Sequence, residues 1–184
     1  MKVFKYYSIH DLIIIAIMAA IGVAIKPIVS SLTHSVTAAL AIPGGALAGG
    51  LYMMWLVLAY AITGKYGSAT LVGVIQAIIM IIAPVPGSHG ILSLFTYTLP
   101  GIAIDVLLII IVGLLKCNFE AWVSFLCGLV ANLTGSLATS VIFFHLPPLF
   151  IVLVIVSSAT SGGIGGLLAW GLFRIMKEYR MVKR

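Results

Sequence analysis

The stretch ILSLFTYTLPGIAIDVLLIIIVGLL, residues 91–115, decides the fold class of this chain. It is apolar over almost its whole length and carries a single charged side chain, that of Asp105. A helix of about 20 such residues crosses a hydrocarbon core about 30 Å thick. The stretch therefore predicts a membrane-spanning helix with a carboxyl group inside the membrane.

The rest of the chain has the same character. Its 184 residues are 62% hydrophobic and 8% charged, which is too apolar for a water-soluble domain of this length. Hydropathy predicts six spans, at residues 12–32, 38–62, 68–82, 91–115, 121–144 and 149–173. The predicted fold is all-α, a compact bundle of six transmembrane helices that forms a single domain over residues 1–184.

The positive charges predict the orientation of this bundle. Nine of the ten basic residues fall on one side of an even-numbered topology: Lys2, Lys5, Lys65, Lys116, Arg174, Lys177, Arg180, Lys183 and Arg184. Positively charged loops stay in the cytoplasm, so both termini are expected to be cytoplasmic. The net charge of +6 then reflects the membrane topology, and the basic residues are expected to contact anionic lipid of the bilayer. No nucleic-acid partner is predicted.

Asp105 is the most informative polar residue. An ionised side chain at the centre of a membrane helix costs roughly 3 kcal/mol on insertion scales and is a functional candidate by default. The only basic residue in a predicted span is Lys26, which lies near the outer end of the first span and is expected to extend to the interface. We interpret Asp105 as a ligand contact, with a protonated structural acid as the alternative.

Other polar and aromatic residues at membrane depth complete a candidate substrate site. Gln76 and Asn132 either contact a ligand or link helices, and Trp55 either stacks on a ligand or anchors the membrane interface. Three histidines, His34, His89 and His145, lie in the predicted outer loops. The candidate substrate-binding residues are Asp105, Gln76, Tyr97, Trp55, Asn132 and His89.

The sequence predicts neither an enzyme nor a bound cofactor. It contains no HExxH or GxSxG motif and no paired carboxylates within the membrane. The glycine-rich segment SGGIGG, residues 161–166, lacks the GK[ST] ending of a nucleotide-binding loop, so the chain is not expected to hydrolyse ATP. Cys117 and Cys127 have no neighbours at metal-ligand spacing, and no metal site is predicted.

Small residues recur every four positions on the first, second and sixth predicted spans, and the row of the second span, Ala41, Gly45 and Gly49, is interpreted as internal packing. Ala16, Ala20 and Ala24 share one face of the first span, and such a face admits another helix closely. That face either packs inside the bundle or docks a separate membrane protein. The row of the sixth span, Ser158, Gly162 and Gly166, is likewise interpreted as internal packing.

Six short spans, both termini inside, the AxxxA stripe of Ala16 and Ala20 and the lack of a nucleotide site together resemble the S components of energy-coupling factor (ECF) vitamin transporters. S components are the substrate-binding subunits of these transporters in the prokaryotic cytoplasmic membrane. The resemblance implies that the alanine face docks a transmembrane coupling subunit, which two ATPase subunits drive. It also implies an ECF-type ABC transporter that takes up a vitamin.

A closer similarity covers residues 42–111. The segments IPGGALAGGLYMMWLVLAYAITGKYGSATLV (42–72), PVPGSHG (84–90) and LPGIAIDVLL (99–108) look like the YkoE branch, which is associated with thiamine or its hydroxymethylpyrimidine precursor. Asp105 occupies the place of a carboxylate in that pattern, as an aspartate where glutamate is expected. The branch also has acidic positions in its third span, where this chain has Gly73, Gln76 and Met80.

Two further expectations follow from the resemblance. Metal-ion members of the wider group place a histidine directly after the initiator methionine, and Lys2 at that position argues against nickel or cobalt. The predicted function is therefore vitamin binding at the outer face, with Asp105 against an amino-pyrimidine or a positive charge. The rival interpretation is a structural or assembly subunit without a ligand, in which Asp105 pairs with a basic residue of another chain.

Overall fold

The computed structural model describes residues 6–37, 44–83, 90–144 and 147–179, and these ranges contain helices and no strand. The α-helices are α1 (Ile9–Ala24), α2 (Lys26–Thr37), α3 (Gly44–Thr63), α4 (Ser68–Ile82), α5 (Ser93–Leu108), α6 (Ala121–Thr139) and α7 (Pro148–Glu178). A short 3₁₀ turn, Gly90–Leu92, precedes α5, and the π-helical turns Ile109–Leu114 and Ser140–Phe144 extend α5 and α6. The all-α prediction is confirmed.

The helices agree with the predicted spans. Five stretches are long and apolar enough to cross a membrane: Ile9–Ser31, Ala46–Thr63, Gly90–Leu114, Ala121–Ile142 and Pro148–Glu178. The third predicted span, residues 68–82, is α4, whose 15 residues extend only about 22 Å. The chain therefore has six apolar helical segments, of which α4 is too short to cross a hydrocarbon core by itself.

The first predicted span is divided into two helices. α1 begins with a capping box, in which Ser8 Oγ accepts from the Asp11 N–H and Asp11 Oδ2 accepts from the Ser8 N–H. It ends at Ala24 because Pro27 has no N–H to donate and its ring disfavours helical geometry just before it. Lys26 consequently begins a new helix at this break.

Glycines bring α6 and α7 into backbone contact. A Cβ atom added at Gly162 would overlap the carbonyl of Gly128, and one at Gly166 would overlap the carbonyl of Ser124. The Ser124 hydroxyl donates to the Gly166 carbonyl oxygen at 2.7 Å. The interpretation of Ser158, Gly162 and Gly166 as internal packing is confirmed, since all three are buried.

Residues 6–11 are bonded to the loop between α3 and α4. Lys65 Nζ lies 2.7 Å from Asp11 Oδ2 and donates to the Tyr6 carbonyl at 2.6 Å, and the Tyr7 hydroxyl donates to the Tyr66 carbonyl at 2.6 Å. Aromatic rings from the end of α3, from this loop, from the segment after α5 and from the last turns of α7 meet here at centroid distances of 5.3–5.8 Å. They are Tyr60, Tyr66, Phe119, Trp170 and Phe173. We call this end of the bundle the basic end, because it carries Lys65 and Lys116.

Candidate solute-binding site

Helices α1, α3 and α4 meet closely at Gly22, about 17 Å along α1 from Asp11. A Cβ atom at Gly22 would overlap Gln76 Nε2 and would lie 3.4 Å from Trp55 Cδ1. The amide of Gln76 and the indole of Trp55 are therefore neighbours against the bare backbone of α1. The predicted site residues Gln76 and Trp55, from separate helices, are brought together.

Lys26 lies one helical turn beyond Gly22 and points into the bundle. Only 4% of its surface is exposed, and its Nζ lies 3.4 Å from the ring centroid of Tyr97 and 5.8 Å from that of Tyr52. The expectation that Lys26 extends to the interface is wrong. The break before Pro27 starts α2 at this residue, and two aromatic faces attract its amino group where no carboxylate does.

Three nitrogen atoms of this region are buried and donate to no acceptor. They are Lys26 Nζ, Trp55 Nε1 and Gln76 Nε2, which are among six buried side-chain atoms of the described residues without a hydrogen-bond partner. A buried donor without a partner costs about 1–3 kcal/mol. We call Lys26, Trp55 and Gln76 the donor cluster; the rings of Tyr52 and Tyr97 lie beside its lysine.

Tyr97 is held near the donor cluster by close packing of α4 on α5. A Cβ atom at Gly73 would lie 2.5 Å from the Tyr97 carbonyl oxygen and 3.3 Å from Thr98 Cα. Gln76 follows Gly73 by one helical turn on the same face of α4. The contact also explains why residue 73 is glycine, since a side chain here would collide with the α5 backbone.

Asp105 lies at a different level and has a partner in its own chain. Its Oδ2 atom accepts from the Thr70 N–H at 2.8 Å and from the Thr70 hydroxyl at 2.6 Å, and 6% of the residue is exposed. Thr70 is in the first turn of α4, where backbone N–H groups have no acceptor within the helix. Asp105 therefore caps α4 from the neighbouring helix α5.

This position separates Asp105 from the donor cluster. Thr70 precedes Gln76 by six residues, or about 9 Å along α4, toward the basic end. The sequence offered Asp105 no basic partner at membrane depth, and the partner that the structure shows is the hydroxyl and backbone N–H of Thr70. The role of Asp105 as a ligand contact stays a prediction.

Asn132 links three helices. Its Nδ2 donates to the carbonyl of Ala46 at 3.1 Å and to the carbonyl of Ser158 at 2.9 Å, and its Oδ1 accepts from the Ser136 hydroxyl at 3.4 Å. Of its two interpretations, the structure shows the helix link. With both amide hydrogens donated, a contact between Asn132 and a solute stays a prediction.

The remaining predicted residues lie elsewhere. His89 falls outside the described residues, as does His145. Ala16, Ala20 and Ala24 are exposed on the outer surface of α1, beside the exposed side chains of Ile13 and Ile17. The interpretation of this alanine face as packing inside the bundle is therefore wrong for the described chain.

Two residues of the region were not selected from the sequence. Lys26 had a readable signal, because it is the only basic residue within a predicted span and it precedes a proline. The sequence around Gly22 gave no such signal, because a glycine in an apolar helix has the same sequence context whether it faces lipid or a buried amide.

Comparison with known proteins supports the fold. A solved structure described as the crystal structure of an S-component of an ECF transporter superposes on this chain with a TM-score of 0.73 at 14% sequence identity. The superposition covers 94% of this chain and 85% of the other chain, so the two share a fold over most of their length. No curated protein matches the sequence.

The sequence also matches a family of transport proteins over residues 10–134, more than half of the chain. The cobalt in the family's description is said of that family, and the expectation from Lys2 stays a prediction. The described residues contain no group of three or more His, Cys, Asp or Glu side chains that could hold a metal ion. The extent of the match shows that this chain, a multi-pass membrane protein and not an enzyme, belongs to the family described as the permease component of ABC-type cobalt transport systems.

Proposed function

We propose that this membrane transport subunit is the substrate-binding component of an ECF-type ABC transporter, with both termini in the cytoplasm. The observation that carries the proposal is the donor cluster beside aromatic rings, built from four helices and distant from the basic end. A site for a small flat solute needs aromatic surface together with a few directed polar groups, and this region supplies both.

The solute proposed from the resemblance is thiamine or its hydroxymethylpyrimidine precursor. Tyr97 would stack on the pyrimidine ring, while the N–H groups of Gln76 and Trp55 would donate to its ring nitrogens. We leave Asn132 out of the contact set because both of its amide hydrogens are donated to backbone carbonyls, and Asp105 because its partner Thr70 lies about 9 Å along α4 from Gln76. His89 stays a candidate contact from its predicted outer loop.

The first experiment measures ligand-induced thermal stabilisation of the purified protein by thiamine, hydroxymethylpyrimidine, other vitamins and Co²⁺. We expect one vitamin-sized solute to raise the unfolding temperature. Replacing Tyr97 with leucine should abolish that rise, because it removes the stacking ring, whereas Tyr179→Leu at an exposed position should not. No stabilisation by any compound, together with no small molecule in mass spectra of the purified protein, would favour the structural subunit instead.

The proposed partners are a transmembrane coupling subunit and two ATPase subunits. The exposed alanine face on α1 is the proposed contact with the coupling subunit, because small side chains let a second helix approach its backbone. The double variant Ala16→Leu, Ala20→Leu should lose co-purification with that subunit and keep solute binding. The control is Thr160→Leu, which places a leucine on the exposed surface of α7. Retained co-purification in the double variant would show that the coupling subunit docks elsewhere.

A further inference from the structure

The chemistry of the donor cluster restricts the solute more narrowly than its size does. The buried atoms left without partners there, Lys26 Nζ, Trp55 Nε1 and Gln76 Nε2, all carry hydrogens that they can donate. The indole nitrogen is a donor only, and the amide nitrogen likewise accepts nothing. A solute that offers hydrogen-bond acceptors satisfies these groups, and a solute that offers donors does not.

Charge points the same way. The ion pair that the described residues form, Lys65 with Asp11, lies at the basic end. The Oδ2 atom of Asp105 accepts from Thr70, and its buried Oδ1 atom, which has no hydrogen-bond partner, belongs to a residue about 9 Å along the bundle from Gln76. Lys26 is accompanied instead by the rings of Tyr97 and Tyr52, which attract a cation without neutralising it. A solute with a fixed positive charge placed beside Lys26 would meet like charge in a region of low dielectric constant.

We propose that Lys26, Trp55 and Gln76 bind the acceptor-bearing edge of a neutral or anionic aromatic solute, and that Lys26 selects against a fixed cation. This inference rests on the proposed function, because it takes the donor cluster to be the solute site. The inference favours one of the two solutes named above. Hydroxymethylpyrimidine presents ring nitrogens and no fixed charge, whereas thiamine carries a cationic ring and should bind less tightly. The inference also admits aromatic carboxylates, whose oxygens are acceptors only.

Gly22 is the positioning residue of this site. A side chain at Gly22 would occupy the place of Gln76 Nε2, so the glycine is what lets the amide lie against α1. Gly22→Ala should therefore turn the amide of Gln76 away and weaken binding of acceptor-bearing solutes. Gly171→Ala is the matched control, because a Cβ atom there meets nothing within 4 Å.

The test is isothermal titration calorimetry of the full chain in detergent with three probes: hydroxymethylpyrimidine, nicotinate as an aromatic carboxylate, and thiamine. We expect hydroxymethylpyrimidine or nicotinate to bind at least tenfold more tightly than thiamine. Lys26→Met should weaken the tighter probe at least tenfold and reduce its advantage over thiamine. Lys177→Met removes the same charge at an exposed position of α7 and should change neither affinity.

Folding is controlled by thermal unfolding of each variant without solute, and Gln76→Leu provides a second donor deletion. If thiamine is the tightest probe, or if Lys26→Met leaves the ratio of affinities unchanged, the inference is overturned. If no probe binds while the protein still co-purifies with a coupling subunit, the inference is overturned and the proposed function stands. If no probe binds and the protein does not co-purify with a coupling subunit, both the inference and the proposed function are overturned.

Discussion

Replacing Asp105 with alanine should destabilise the bundle by about 2 kcal/mol without weakening solute binding. The carboxyl group accepts two hydrogen bonds from Thr70, one from the backbone N–H at 2.8 Å and one from the hydroxyl at 2.6 Å. Loss of a helix cap costs about 0.5–2 kcal/mol, and a buried donor left without a partner costs about 1–3 kcal/mol. The hydroxyl can turn to a carbonyl of its own chain, so most of the loss belongs to the N–H.

The assay is thermal unfolding in detergent. For a chain of this length about 2 kcal/mol corresponds to a decrease of roughly 4–8 °C in the unfolding temperature. Asp105→Asn is the graded control, because its remaining carbonyl oxygen still accepts from the Thr70 N–H. Its unfolding temperature should fall by about half as much as that of Asp105→Ala. Affinity for the solute, measured by calorimetry, should stay within twofold of the parent value in both variants.

A double-mutant cycle with Thr70→Val isolates the contact. The hydroxyl bond exists only while Asp105 is present, so Thr70→Val should lower the unfolding temperature of the parent protein and have little effect in the Asp105→Ala variant. Equal effects in both backgrounds would refute the hydroxyl contact between Thr70 and Asp105. An Asp105→Ala variant that unfolds at the parent temperature but binds no solute would show instead that the carboxyl group is a ligand contact.

Three further predictions concern the packing of the bundle and are measured by thermal unfolding in detergent unless stated otherwise. Asn132→Ala should cost about 1 kcal/mol through two lost interhelical hydrogen bonds and leave solute affinity unchanged; a loss of affinity at equal stability would contradict the helix-link role. Lys65→Met should cost less than about 1 kcal/mol, since its ion pair with Asp11 is partly exposed, and the loss should shrink in Asp11→Asn. Gly166→Leu should separate α6 from α7 and abolish the monodisperse peak in size-exclusion chromatography, whereas Gly171→Leu should not; equal behaviour of the two variants would refute the close packing.

Hydropathy is a property of each residue and its neighbours in sequence. For that reason the sequence alone was sufficient to predict the class of protein and the approximate positions of its spans. The prediction at residues 68–82 has the bounds of α4, and the sixth predicted span lies within α7. Small residues at a spacing of four predicted the close contact through Gly162 and Gly166, because membrane helices pack by shape.

The polar contacts were decided by tertiary structure. The helices are apolar on all sides, so no periodic pattern distinguishes the face toward lipid from the face toward the bundle. Asp105 was recognised as exceptional, but its partner Thr70 lies 35 positions away on another helix. Lys26 was expected at the interface, and only the break before Pro27 and the ring of Tyr97 place it inside. The sequence thus determined which residues cross the membrane, while the rotation of each helix against its neighbours determined what their few polar groups meet.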